Sequence, residues 1–222
     1  MTASVLPFQR EAAPLRTQAV DYLRSAIVTG AYEPGSRLLE KRLCEELGVS
    51  RTVVRESLRQ LESERLVDMK PNIGPVVHVL TRREAEGLYE VRASLEALAG
   101  RLAAVHATPE QVATLQSIVV EIGGEQDRPL PLTLELKNTF YEALVDASAN
   151  AMIGELFGNV QARISKLRSI TLQHPGRLAS TNVELRKIVE AIARGDADEA
   201  ARQCQAHVQA AAALALSNLP EE

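Results

Sequence analysis

The sequence predicts a mainly α-helical protein in two parts: three helices closed by a β-hairpin, then an antiparallel all-helical bundle. Three observations predict it. Apolar residues recur at helical spacing over most of the 222 residues. Two short β-type runs flank a Pro/Gly-rich turn between Leu66 and Leu80, and no convincing strand follows them. The charge balance changes at the same place, from a net +1 over residues 1–80 to a net −5 over 81–222.

Residues 1–14, with Pro7 and Pro14, read as a frayed arm. Ala19, Val20, Leu23, Ile27 and Val28 mark a first helix over Leu15–Thr29, ended by Gly30. The stretch AYEPGSRL is a turn built on Pro34–Gly35. A short helix, Glu40–Leu47, stops at Gly48, with small Cys44 and Val49 fitting the packing of the next helix. Ser50 caps that helix, which carries Val54, Leu58 and Leu61 on one side and runs to near Glu64. Leu66–Lys70 and Val76–Leu80 read as strands, with His78 in the second and the tip at Pro71–Pro75. Asn72 and Gly74 shape that tip, Gly74 through a positive φ.

From Thr81 onward, Leu88, Val91, Leu95, Leu98, Leu102 and Val105 form a long helical stripe. Thr108–Pro109 restarts the chain as N-cap and first helical residue, and this helix ends at Gly123–Gly124. After a polar loop, Glu125–Pro131, helices follow at 132–148, 151–172, 179–194 and 196–216. Gly195 splits the last two and Asp196 caps the final one. The parts therefore fall over 15–80 and 81–218, hinged at Leu80–Thr81.

The 45% hydrophobic and 24% charged composition suits a folded core rather than a disordered tail. Cys44 and Cys204 match no metal or redox spacing and predict a reducing compartment. Aromatic residues are only 3%, which argues against a sugar platform or a single-strand stacking surface. The longest apolar run, Ala210–Leu216, is too short to cross a membrane, and the start lacks a secretory pattern. A cytoplasmic protein without a membrane partner is expected. So is one without catalysis, since no nucleophile–base pair, phosphate loop or metal cluster stands out.

Helix, tight turn, helix, then hairpin is the winged helix-turn-helix. Arg51 and Arg55 are four apart at the start of its second helix, with Thr52 between them, and face away from Val54, Leu58 and Leu61. A guanidinium fork can bridge O6 and N7 of guanine, for about 1–3 kcal/mol of discrimination. The helix N-terminus adds unpaired N–H groups for phosphate. The plainer alternative, solvated surface charge, is weaker for this pair and about even for Lys41 and Arg37.

The string LRSAIVTGAYEPGSRLLEKRLCEELGVSRTVVRESLRQLESERLV resembles the DNA-binding domain of the GntR family of bacterial repressors. It keeps G-x-x-x-P-G-x-x-L and then L-G-V-S-R-T-x-V-R-E-x-L-x-x-L, departing only at Val53 (usually Pro), Ser57 (Ala) and Arg65 (Gly). The resemblance implies operator contacts from Ser50, Arg51, Thr52 and Arg55, assisted by Lys41 and by Ile73 and Gly74 at the wing tip. It also implies a homodimer on double-stranded DNA with an inverted repeat.

LYEVRASLEALAGRLAA, the run Asn138–Asn150 and VELRKIVEAIARGDADEAARQCQAHV resemble the FCD-type effector domain of the FadR subfamily. That implies six or seven helices around a polar pocket for a small molecule. Many members hold a divalent metal there with one Asp and three His. The matching positions here are Lys137, Tyr141, Leu185 and His207, so only His207 survives and no metal or other cofactor is expected. Lys137 puts a fixed positive charge in the metal's place. With Arg92, Tyr141 and His207 it forms a candidate site for an organic acid. Lys137 could instead reach solvent or pair with Glu142, Arg92 could simply bridge Glu96, and Asn150 could be a C-cap. An acyl-CoA ligand and a regulator that has lost sensing remain the alternatives.

Overall fold

The computed structural model describes residues 13–124 and 128–220. The arm expected over 1–14 lies outside them up to position 12, as do residues 125–127 of the polar loop. The chain divides into two compact units between Val79 and Leu80.

The first unit contains α1 (Ala13–Val28), α2 (Glu40–Leu47), α3 (Arg51–Ser63), β1 (Val67–Lys70) and β2 (Gly74–Val77). Val20, Leu23, Leu38, Leu43, Val54, Leu58 and Leu61 are at most 1% exposed and form its core. Gly48 ends α2 at φ 64°, a left-handed cap that glycine takes without a Cβ clash. The Ser50 side chain then accepts from the Val53 N–H at 3.4 Å, a donor that a proline there would lack. Ser57 is fully buried, and its hydroxyl donates to the Val53 carbonyl at 2.9 Å.

The second strand of the hairpin begins two residues earlier than expected and stops three residues short of Leu80. The second strand starts at Gly74, opposite Lys70, and ends at Val77, opposite Val67. The reason is the turn. Pro71 and Asn72 (φ 62°) occupy its central positions, and the Ile73 N–H donates to the Lys70 carbonyl at 3.2 Å, the pattern of a type II turn. His78 therefore lies just beyond the strand, with Nδ1 2.9 Å from the Asp68 carboxylate. The Pro34–Gly35 stretch does more than turn: Gly35, Ser36 and Leu38 exchange backbone hydrogen bonds with Pro75 and Val77, so it pairs along the free edge of β2.

The second unit contains α4 (Arg82–His106), α5 (Pro109–Gly124), α6 (Leu130–Ala147), α7 (Ala151–Arg163), α8 (Ser165–Leu172), α9 (Arg177–Ala193) and α10 (Ala197–Leu216). Thr81 and Glu84 form a reciprocal capping box at the start of α4. Thr108 and Gln111 do the same at α5, and Asp196 caps α10 through the Glu199 N–H at 3.0 Å. Asn150 is an N-cap rather than a C-cap, its side chain accepting from the Met152 N–H. The single helix expected over 151–172 breaks at Ile164, whose φ −94° and ψ 6° leave the helical range. Neither Gly nor Pro marks that break. The α4 and α10 backbones approach closely at Gly100, where a Cβ would lie 2.6 Å from the Cys204 sulfur.

Candidate functional site

Two groups of residues answer to the sequence reading, one in each unit. In the first, Arg51, Thr52 and Arg55 are exposed over the first turns of α3, opposite its buried apolar line. Arg51 has no hydrogen bond or ion pair among the described residues. Arg55 is held: its Nε lies 3.0 Å from both carboxylate oxygens of Glu40 on α2. Lys41, 82% exposed, stands next to Glu40 and only 4.0 Å from Glu45. The Ser50 hydroxyl is taken up in capping. Ile73 is exposed on a separate element, the hairpin tip, and Gly74 (φ 93°) follows it.

In the second unit, Arg92, Lys137, Tyr141 and His207 are all at most 5% exposed. Lys137 is 5% exposed and does not pair with Glu142. Arg92, Tyr141 and His207 belong to one buried polar network drawn from α4, α6, α9 and α10, and Lys137 lies beside it without a bond into it. Arg92 donates from Nε to Glu96 at 2.6 Å and from Nη2 to the Tyr141 hydroxyl at 2.7 Å. The Tyr141 oxygen lies 2.9 Å from Nε2 of His207, whose Nδ1 is 2.6 Å from a Glu184 oxygen. A carboxylate only accepts, so Nδ1 carries the proton and Nε2 accepts from Tyr141. Arg177 closes the chain with a two-pronged contact to Glu184 at 2.6 and 2.9 Å.

Arg168 of α8 adds a further buried cation. It donates to the Asn138 side-chain oxygen at 3.0 Å and stacks 5.6 Å from the Tyr141 ring centroid. Arg168 Nε and Nη2, Glu96 Oε2, the Tyr89 hydroxyl and the Thr181 hydroxyl are buried without a hydrogen-bond partner. The Lys137 ammonium has neither a hydrogen bond nor an ion pair among the described residues.

These surroundings set the protonation states. Burial, followed by the charges of Arg168, Arg92 and Arg177, pulls Lys137 well below the usual lysine range. Burial pushes His207 down to about 4, against the hydrogen bond it donates to Glu184, which favours its charge. Partial burial opposes the charge of Glu184, but hydrogen bonds from His207 and Arg177 outweigh it and hold the carboxyl down at about 2. Burial also opposes the charge of Arg92, and Glu96 with Tyr141 more than offsets it. Burial lowers Arg168 and raises Tyr141.

The four positions that would carry metal do not fit one. Lys137 is a cation or a lone amine among three guanidiniums, Tyr141 is a neutral phenol and Leu185 is packed in the apolar core. A divalent cation there would meet like charge and one imidazole, short of the converging donors it needs. Among the described residues no cluster of three or more His, Cys, Asp or Glu is placed to hold a metal. A cavity of about 650 Å³ includes Thr133, one helical turn before Lys137, together with Asn182, Leu172, Arg128 and Arg186.

Sequence reasoning missed Arg168, Arg177, Glu184 and Tyr89. The signal for the two arginines was present: each occupies a position that apolar spacing marks as inward. Arg168 follows Val160 and Ile164, and Arg177 precedes Thr181, Leu185, Ile188 and Ile192, all buried. Glu184 neighbours the position where the resemblance had placed a ligand.

Known proteins share both units. Residues 15–77 match the model of the gntR family of bacterial regulatory proteins, and residues 87–210 match the FCD domain. The Nta operon transcriptional regulator of Aminobacter aminovorans is 33% identical over 80% of this chain and 83% of its own. The HTH-type transcriptional regulator YdhC of Bacillus subtilis is 28% identical over 87% of this chain and 88% of its own. Among solved structures, Escherichia coli McbR/YncC superposes with a TM-score of 0.79 at 23% identity, covering 91% of this chain and 97% of that one, a likeness of fold.

Proposed function

The chain belongs to the gntR family of bacterial regulatory proteins and carries an FCD domain, and from that premise we propose that it is a metabolite-controlled repressor. It binds an inverted-repeat operator as a homodimer in the cytoplasm. A small organic anion, held in the second unit without a metal, controls its DNA affinity.

One observation carries the effector half of this reading: Arg92, Lys137, Arg168 and Arg177 are buried together, and among the described residues only Glu96 and Glu184 pair with any of them. A charge buried without a partner is costly, so the site favours an anion. The DNA half rests on the family match and on the exposed Arg51, Thr52 and Arg55 at the start of α3. Support for the homodimer comes from α4, where Val91, Leu98 and Val105 recur every seventh residue at 50%, 42% and 63% exposure. No helix among the described residues is long and apolar enough to cross a membrane.

The effector must bind the free and DNA-bound arrangements with different affinity, since otherwise it shifts nothing. The test begins with an operator obtained by in vitro selection from random duplexes. Changing Arg51 and Arg55 together to Ala should weaken binding to it about 100-fold or more. Retained sequence-specific binding would remove α3 from the interface. A thermal-shift screen of organic acids with chelator present should find a stabilising anion, and a screen without any hit would remove the effector.

A further inference from the structure

Glu40 is the first residue of α2, and its carboxylate holds Arg55 of α3 from across the turn between the helices. Both carboxylate oxygens lie 3.0 Å from Arg55 Nε, so Glu40 takes up that one nitrogen. The terminal nitrogens, Nη1 and Nη2, have no hydrogen bond among the described residues, and the Arg55 side chain is 58% exposed. Gripped at Nε, the guanidinium keeps one edge to offer, its end.

A carboxylate is a poor neighbour for DNA, because it repels the phosphates that supply much of a protein's affinity. Beside Arg55 it also cancels much of the charge by which a guanidinium attracts phosphate, a contact that carries no sequence information. What it leaves is two directed N–H donors. Guanine offers two acceptors, O6 and N7, at the spacing of that fork. Arg51, one turn earlier, has no such partner and keeps its whole charge. Holding a long side chain in place beforehand also removes the entropy that binding would otherwise cost in ordering it.

We propose that Glu40 is a positioning residue for base readout: it presents the Nη1–Nη2 edge of Arg55 to a single guanine in each operator half-site and keeps Arg55 off phosphate. This rests on the reading of α3 as the helix that meets DNA. The plainer alternative is that Glu40 only gives α2 an acidic first turn, since Leu39 before it supplies no side-chain cap. That role predicts an effect uniform over all DNA. A pair this exposed contributes little to stability, so its loss leaves the unit folded.

Fluorescence anisotropy of the full-length protein tests this on the selected operator, its single-base variants and a random duplex, with circular dichroism to check the fold. The base in question is the one whose preference disappears in Arg55→Ala. There the wild type should favour guanine over adenine by about tenfold or more, and Glu40→Ala should cut that to about twofold while other positions keep theirs. Glu40→Ala should bind the intact operator about tenfold less tightly, and the random duplex at least as tightly as the wild type does. Glu40→Asp keeps the acidic first turn but is one methylene too short, and should behave like Glu40→Ala on the operator. Glu40→Gln keeps the reach and an acceptor oxygen, and should restore most of the preference. Operator and random duplex weakened by the same factor, or Glu40→Asp acting as the wild type, would reduce Glu40 to helix support and overturn the proposal. An Arg55→Ala protein that flattens no position would overturn it too. The reading of α3 fails separately, only if changing Arg51 and Arg55 together to Ala leaves sequence-specific binding intact.

Discussion

Arg55 and Arg51 differ in how they are held. Glu40 holds its guanidinium at the start of α3, while Arg51 four residues earlier has no such partner. Arg65 shows a different kind of restraint. It follows the C-cap of α3 at φ 59°, where the resemblance expects glycine, and the Leu66 N–H closes the helix end on the Leu61 carbonyl at 2.9 Å. A side chain in that conformation costs about 1–2 kcal/mol. Arg65→Gly should therefore stabilise the protein by about 1 kcal/mol after the entropy of glycine is offset, read as a higher denaturation midpoint. Lys137 is the costlier residue. Its proton is bound less tightly in the folded protein than in an unfolded chain, whose lysines protonate below about pH 10.4. Stability from this group thus falls as the pH drops from there through the folded value. Lys137→Met should make the empty protein more stable at pH 7 by about 1–3 kcal/mol, with a smaller gain near pH 10. Equilibrium denaturation at the two pH values checks it, and a variant less stable at pH 7 would contradict the uncompensated charge.

At the scale of elements, α4 has two faces that periodicity alone does not rank. The stripe legible in the sequence includes Val91, Leu98 and Val105, and these turn outward. The inward face instead carries Tyr89, Arg92, Glu96, Ala99, Gly100 and Ala103, half of them polar and the other half small. Arg92 and Glu96 are buried as an ion pair across one turn, with the Tyr141 hydroxyl accepting a second Arg92 donor, and small Gly100 admits α10. Leu98→Glu should place a charge in the outward seam and yield folded monomers at micromolar concentration. Sedimentation velocity checks the mass and circular dichroism the helix content, and an unchanged dimer would place the seam elsewhere. The other helices were readable from caps and breakers: Ser50, Pro109, Gly195 and Asp196 lie where those residue types belong. The break at Ile164 and the bounds of the second strand were not, because one is a single backbone angle and the other depends on which turn Pro71 and Asn72 adopt.

For the whole molecule, the sequence makes two units and the α3 helix legible because local signals define them, and the family string strengthens both. The proposed effector site was legible in half. Lys137, Arg92, Tyr141 and His207 could be named from a resemblance, but Arg168, Arg177 and Glu184 come from helices whose inward faces meet only in three dimensions. Excess buried positive charge is a property of that assembly, not of any one segment. The claim that rests on it is that an anion, with no metal, sets the grip on DNA. It is tested most directly by titrating a selected operator with wild-type and Lys137→Met protein by fluorescence anisotropy in EDTA, with and without a saturating organic acid from the screen. The acid should change wild-type operator affinity about tenfold with chelator present and leave that of Lys137→Met unchanged. A response that disappears in EDTA and returns with a divalent cation, or a Lys137→Met protein that responds as the wild type does, would contradict it.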